Sequence, residues 1–165
     1  MKKVVSLTRR AIEQYNMIED GDKIAVGVSG GKDSLVLLNV LAELSRYYPK
    51  KFTVMGLTLD MGYDADYSKV QKMCDDLGVE YKVKKTNIKE IIFDIRKESN
   101  PCSLCAKMRR GHLYSKAKSL GCNKIALGHH FSDVVETTVM SMFYGAQLQA
   151  MPPKLHSQNF EGMEL

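Results

Sequence analysis

Long apolar runs are missing from this 165-residue chain: none approaches the roughly 18 residues of a membrane-spanning helix. The opening stretch MKKVVSLTRRAIEQYN has neither an apolar h-region nor a small-residue cleavage site. Neither a membrane partner nor secretion is expected, and a cytoplasmic location is. Internal repeats, low-complexity tracts and Gly/Ser linkers are absent too, and 18.6 kDa leaves room for one ordinary domain. Cysteine is scarce, at Cys74, Cys102, Cys105 and Cys122. Reduced thiols are expected there rather than a disulfide framework.

What is present describes a globular protein. Hydrophobic residues make up 44% and charged residues 26%, enough apolar material for a core and too much for intrinsic disorder. The net charge is +5, unevenly spread. Between Arg96 and Lys118 lie seven basic residues (Arg96, Lys97, Lys107, Arg109, Arg110, Lys116, Lys118) and one acid, Glu98, a net +6 that leaves the rest of the chain at −1. Two readings fit such a patch: the footprint of a polyanion partner, or a solvated helix face.

Hydrophobic periodicity predicts alternating elements. Apolar residues at Val4, Leu7, Ala11, Tyr15 and Ile18 suit an amphipathic helix over Val4–Met17. Gly21-Asp22 breaks it, and Lys23–Ser29 reads as a buried strand. A helix over Asp33–Tyr47, a strand over Phe52–Asp60, a helix over Ala65–Leu77 and a strand over Glu80–Thr86 follow. Asn87–Lys97 and Ser103–Leu120 read as helices, Asn123–Gly128 as a fourth strand, and Asp133–Phe143 as a helix that stops before Pro152-Pro153. The fold expected is α/β, a doubly wound parallel sheet of about four strands with helices on both faces. Ligands of such sheets sit beyond the strands' carboxyl ends, where strand order reverses. Ser29–Ser34, Asp60–Tyr63 and His129–Asp133 should therefore line one site. The tail, Ser157–Leu165, turns apolar at Met163-Glu164-Leu165 as at the start of another strand, which predicts a single domain, 1–165, shortened at its C-terminal end.

Ser29-Gly30-Gly31-Lys32-Asp33-Ser34 follows a strand and opens a helix. Two glycines permit positive φ and close approach to an anion. Helix-start N–H groups and the helix dipole favour negative charge. Ser29 and Ser34 add hydroxyls, and Lys32 a mobile cation. The loop is no Walker motif, since Val26 and Asp33 stand where that pattern needs Gly and Ser/Thr. Nor does Gly27-Val28-Ser29-Gly30 fit a dinucleotide fingerprint. Asp33 suits a phosphate site that also holds Mg²⁺; the plainer reading has it capping the helix.

Cys102 and Cys105 stand at a helix start inside the basic stretch, a setting that favours the thiolate, the form that ligates metals. By spacing alone C-x-x-C is half a site, because zinc and iron–sulfur centres take more protein ligands. Cys74 and Cys122 are expected to be buried, inert thiols. Met140, Met142 and Met151 read as core or interface packing.

On Ser29–Ser34 the chain resembles the PP-loop ATP pyrophosphatases. Cys102-Ser103-Leu104-Cys105, Met108-Arg109-Arg110-Gly111, Leu127-Gly128-His129-His130, Met142-Phe143-Tyr144-Gly145 and Met151-Pro152-Pro153-Lys154-Leu155 resemble that superfamily's tRNA 2-thiocytidine synthetase branch, almost from end to end. The resemblance implies an ATP pyrophosphatase-type tRNA sulfurtransferase. ATP would adenylate the C2 carbonyl of an anticodon-loop cytidine before an unidentified sulfur donor replaces AMP. It implies ATP contacts from Ser29, Gly30, Gly31, Lys32, Asp33, Ser34, Asp60, Gly128 and His129, with Lys32, Asp33 and Asp133 in catalysis and Asp33 on Mg²⁺. His129 and His130 also read as hydrogen-bonded structure, and Asp60 as a plain turn residue. The family usually pairs aspartates where this chain has Ser132-Asp133, which removes one carboxylate. The resemblance further implies a [4Fe–4S] cluster on Cys102, Cys105 and a third cysteine from a later segment, so the isolated chain is expected to hold no intact cluster. It implies tRNA on Lys107, Arg109 and Arg110, and a homodimer is possible. Alternatives are 2-thiouridine synthesis, often accompanied by N-terminal C-x-x-C pairs that do not occur before Cys74, lysidine synthesis, which has no need of C-x-x-C, and a non-catalytic nucleotide-binding module.

Overall fold

Residues 1–63, 65–96 and 101–165 are described by the computed structural model. In chain order they form α1 (Lys2–Gln14), β1 (Asp22–Gly27), α2 (Lys32–Leu44), β2 (Phe52–Asp60), α3 (Ser68–Leu77), β3 (Glu80–Lys85), a π-helical segment (Glu90–Arg96), α4 (Pro101–Ser119), β4 (Lys124–Ala126) and α5 (Phe131–Gly145). The helix expected over Asn87–Lys97 is this π-helical segment, and Lys97, like Glu98 in the basic stretch, lies outside the described residues, as does the side chain of Arg96.

All strand pairs are parallel and the order is β3-β2-β1-β4. The strands build two cores because successive side chains alternate between the sheet's faces. Ile24 and Val26 of β1 join Leu38, Leu41 and Leu44 of α2 and Val5 and Ile12 of α1 on one face. Ala25, with Met55 and Leu57 of β2, joins Ala117 of α4, Cys122 and Ile125 on the other. Cys74 and Cys122 are buried, and burial pushes both thiols above their ordinary range.

Element ends differ from expectation where the backbone turns left-handed. α1 stops short of Met17 because Asn16 takes φ 47°, and α5 ends at Gly145 because Ala146 takes φ 48°, well before Pro152. α5 also begins two residues early. Asp133 accepts from the His130 N–H at 2.7 Å while its own N–H reaches the His130 side chain, a reciprocal cap. The apolar turn at Met163–Leu165 pairs, as its pattern suggested: Glu164 bridges Lys124 in parallel, with Ile125 N–H donating to the Glu164 carbonyl at 2.8 Å and Glu164 N–H to the Asn123 carbonyl at 3.0 Å. Met163 is buried in the second core. Met140 and Met142, by contrast, are exposed, so they are not core residues.

Candidate nucleotide-binding site

The chain reverses direction across the sheet between β1 and β4, and the loop after β1 lies at that switch point. Its shape comes from the residue types. Gly30 takes φ +83°, which a side chain would resist. Gly31 is the N-cap of α2 in an extended conformation, and the first helical bond runs from Leu35 N–H to the Gly31 carbonyl. Among the described residues the N–H groups of Lys32, Asp33 and Ser34 have no acceptor within the chain. That leaves three donors and the positive end of a thirteen-residue helix for an anion.

Serines brace the loop from inside. Ser34 Oγ donates to the Gly31 carbonyl at 2.9 Å and accepts from Ser29 N–H at 3.2 Å, and Ser29 Oγ accepts from Gly31 N–H at 3.3 Å. Ser34 is buried, whereas Ser29, Gly30, Gly31, Lys32 and Asp33 lie at or near the surface. Two residues that no motif signals hold the strand end beneath. Thr58 Oγ1 donates to the Val28 carbonyl at 2.8 Å and accepts from the Tyr81 hydroxyl at 2.7 Å, both buried. Burial raises the Tyr81 phenol's pKa, so it stays a donor.

Three segments meet the carboxyl edge of the sheet where this loop lies, and one of them touches it. From β4, the Gly128 backbone presses directly on it, where a Cβ would come within 3.0 Å of the Asp33 carbonyl carbon and the Ser34 nitrogen. His129 and His130 follow, both exposed, and the Asp133 carboxylate is engaged in the α5 cap. From β2, Asp60 is buried, and its Oδ1 accepts from Gly62 and Tyr63 N–H at 2.9 and 3.3 Å, the bonds of a turn residue. From α4, Cys105 Sγ stands 3.9 Å from Met61 Sδ just past the end of β2. The thiol pair therefore lies at the same carboxyl edge of the sheet as the loop, although Met61 carries no sequence signal. Lys107, Arg109 and Arg110 are exposed along α4, and Arg110 shares one groove with His129 and His130.

Cys102 is exposed and Cys105 half-buried, one helical turn apart on α4. Among the described residues no three His, Cys, Asp or Glu side chains converge closely enough to hold a metal ion. The two thiols thus fit part of a soft-metal donor set, and the residues present do not complete one. Among the described residues no helix is long and apolar enough to cross a membrane.

Known proteins are similar to this chain in sequence and in fold. The chain is 46% identical over 164 residues to a tRNA-cytidine(32) 2-sulfurtransferase of Aliivibrio fischeri, covering 97% of this chain and 53% of that protein. A Vibrio vulnificus protein of the same name is 44% identical over 164 residues, with 97% and 52% covered. The chain thus spans about half the length of the curated relatives it matches. Among solved structures it superposes on the U34-tRNA thiolase NcsA of Methanococcus maripaludis, which carries a [4Fe-4S] cluster. That match has a TM-score of 0.71 at 27% identity over 86% of this chain and 50% of that one. The model for the PP-loop domain matches residues 4–165, and with the braced Gly30-Gly31 turn at the sheet's switch point this establishes that the chain belongs to the PP-loop domain family.

Proposed function

We propose that this chain carries the ATP-handling part of a tRNA thiolase that makes 2-thiocytidine. The observation that carries the reading is the loop at the switch point: free N–H groups of Lys32, Asp33 and Ser34, an exposed Lys32 side chain, and Gly128 closing the far side. Relatives named for cytidine thiolation, at 44–46% identity, support the choice of base.

In this reading the loop receives the β- and γ-phosphates of ATP, and the Asp33 carboxylate would hold an accompanying Mg²⁺ that would offset the phosphate charge. The C2 oxygen of a cytidine forms a bond to the α-phosphorus while the bond to the pyrophosphate oxygen breaks. The loop N–H groups and Lys32 take up the charge that gathers on the departing pyrophosphate, with little reorganisation because the serine bonds already hold the turn. Sulfur then replaces the adenylated oxygen and AMP leaves. Lys107, Arg109 and Arg110 contact tRNA phosphates so that an unstacked loop base reaches the strand ends. Asp60 positions the turn that follows β2 rather than reacting. The two thiols of α4 would contribute two ligands to a [4Fe–4S] centre whose remaining ligands lie elsewhere; no step here runs through it. The protein acts in the cytoplasm on a sulfur donor of unidentified kind, and a homodimer is the assembly to test.

The test is the nucleoside content of tRNA from cells with and without the gene. Loss of 2-thiocytidine on deletion, together with tRNA-dependent pyrophosphate release from ATP by the purified protein, is the expected result. Loss of 2-thiouridine or lysidine would redirect the assignment within the family, and unchanged nucleosides with ATP bound but not cleaved would leave a binding module.

A further inference from the structure

Tyr63 is held more firmly than an exposed side chain needs. It lies on the turn after β2, and that turn is sewn to the turn after β3. The Thr86 N–H and hydroxyl both donate to the Asp60 carbonyl, at 2.9 and 2.8 Å, and the Lys89 N–H donates to the Met61 carbonyl at 3.0 Å. Asp60 Oδ1 accepts from the Gly62 and Tyr63 N–H groups. A Cβ at Gly62 would come within 3.3 Å of the Thr86 carbonyl oxygen, so the two turns lie in close contact. Ile88, 1% exposed, anchors the second turn in the core. This bracing carries an aromatic ring that is 54% exposed, with the Lys89 ammonium 4.9 Å from its centroid. A cation over one face steadies the ring and leaves the opposite face for a flat partner.

We infer that Tyr63 is a stacking platform for one unpaired base of the substrate RNA, and that Lys89 takes a phosphate beside that base. This rests on the tRNA-thiolase reading and adds to it the place where a loop base is held. Position supports it: the ring stands two residues past Met61, whose Sδ is 3.9 Å from Cys105 Sγ, so it shares the carboxyl edge of the sheet with the thiols. Charge supports it too. Lys82, Lys84, Lys85 and Lys89 outnumber Glu80 and Glu90 between residues 80 and 90, a net +2. The Met61–Cys105 contact brings the start of α4, with its own basic stretch, to the same edge. An exposed ring flanked by two cationic segments is what single-stranded RNA asks for: stacking for the base and cations for the backbone. Duplex RNA offers no free base face, and an apolar protein partner would have to strip water from the lysines.

The chain has no tryptophan, so Tyr63→Trp puts a single indole at the platform. Its fluorescence is followed while an unmodified anticodon stem-loop, a fully paired RNA of equal length, or ATP with Mg²⁺ is added. Quenching by the stem-loop alone is expected, over the concentrations at which filter binding shows the complex forming. Tyr63→Ala should weaken stem-loop binding about tenfold, Tyr63→Phe should restore it, and paired RNA should bind wild type and both variants alike. Lys89→Ala should lower the slope of log K against log salt by about 0.7, the value for one phosphate contact on a single strand. Stem-loop retained on the filter without quenching, or held equally by Tyr63→Ala, would overturn the inference and leave the thiolase reading standing. Equal quenching by paired RNA would overturn it as well, and so would quenching by ATP with Mg²⁺ in the absence of RNA, which assigns the ring to adenine. A wild-type chain that retains no RNA would overturn the tRNA contacts of that reading together with this one.

Discussion

Gly128 is where a single missing atom matters most. Its backbone meets the Asp33–Ser34 peptide so closely that a methyl group would come within 3.0 Å of two backbone atoms, and backbone yields less readily than the tip of a side chain. Gly128→Ala should therefore shift the loop and weaken binding of ATP with Mg²⁺ by about tenfold, roughly 1.4 kcal/mol. Gly111→Ala is the control, since nothing lies within 4 Å of its added methyl and it sits mid-helix in α4. Titration calorimetry on both variants checks this, and equal affinities would remove Gly128 from the site. Lys32, Asp33 and the two glycines were visible as a motif, because the conformational freedom of glycine and the charge of lysine are local properties. The partners Thr58 and Tyr81 were not, because what makes them matter is a hydrogen bond across β1, β2 and β3.

At the scale of elements, α4 carries two features that the sequence shows as neighbours and the fold turns toward one edge. Its first turn holds Cys102 and Cys105, and its middle holds Lys107, Arg109 and Arg110, exposed to solvent. If these cations contact phosphates, Arg109→Ala with Arg110→Ala should weaken tRNA binding and flatten its salt dependence. The slope of log K against log salt should fall by about one unit per lost contact. Filter binding at several salt concentrations measures this, and an unchanged slope returns the patch to a solvated helix face. Element types were legible from periodicity throughout the sheet. The ends were less so: α1 and α5 stop at residues in the left-handed region, Asn16 and Ala146, and nothing local marks alanine for that role. Met140 and Met142 show a related effect. Their apolar character predicts core or interface packing, and exposure removes the core reading alone, because which side of a helix faces the body depends on what lies beside it.

Across the whole molecule, a buried ion cluster fastens the C-terminal segment to the sheet. Lys124 Nζ lies 3.0 Å from Asp22 and 2.9 Å from Glu164, and Glu164 also meets Lys154 at 3.2 Å. Burial opposes each charge, yet hydrogen bonds outweigh it. The Glu19 N–H, Asn123 and Lys124 hold Asp22 below its ordinary value, Lys124 and Lys154 do the same for Glu164, and Glu164 and Asp22 hold Lys124 above its own. The carboxylates' contribution is therefore complete above their ordinary pKa values and lost as pH falls through the lowered ones. That of Lys124 is complete below 10.5 and lost as pH rises through its raised value. Lys124→Met leaves the buried Asp22 without its cation and half-buried Glu164 with Lys154 alone, and should cost about 3 kcal/mol near pH 7. Urea unfolding should show the gap between wild type and variant steady through neutral pH and closing in acid. A gap that stays constant as pH is taken progressively below the carboxylates' ordinary range would contradict the linkage.

The sequence by itself determined the α/β class, the order of strands and helices and the anion-binding turn, because each rests on contacts between residues close along the chain or on the intrinsic geometry of glycine. Only the tertiary structure decided that Gly128 closes on Asp33, that Cys105 meets Met61 and that Glu164 finds Lys124. Those contacts join residues about 40 to 95 positions apart, and only the register of parallel strands and the packing of helices across them fix such distances.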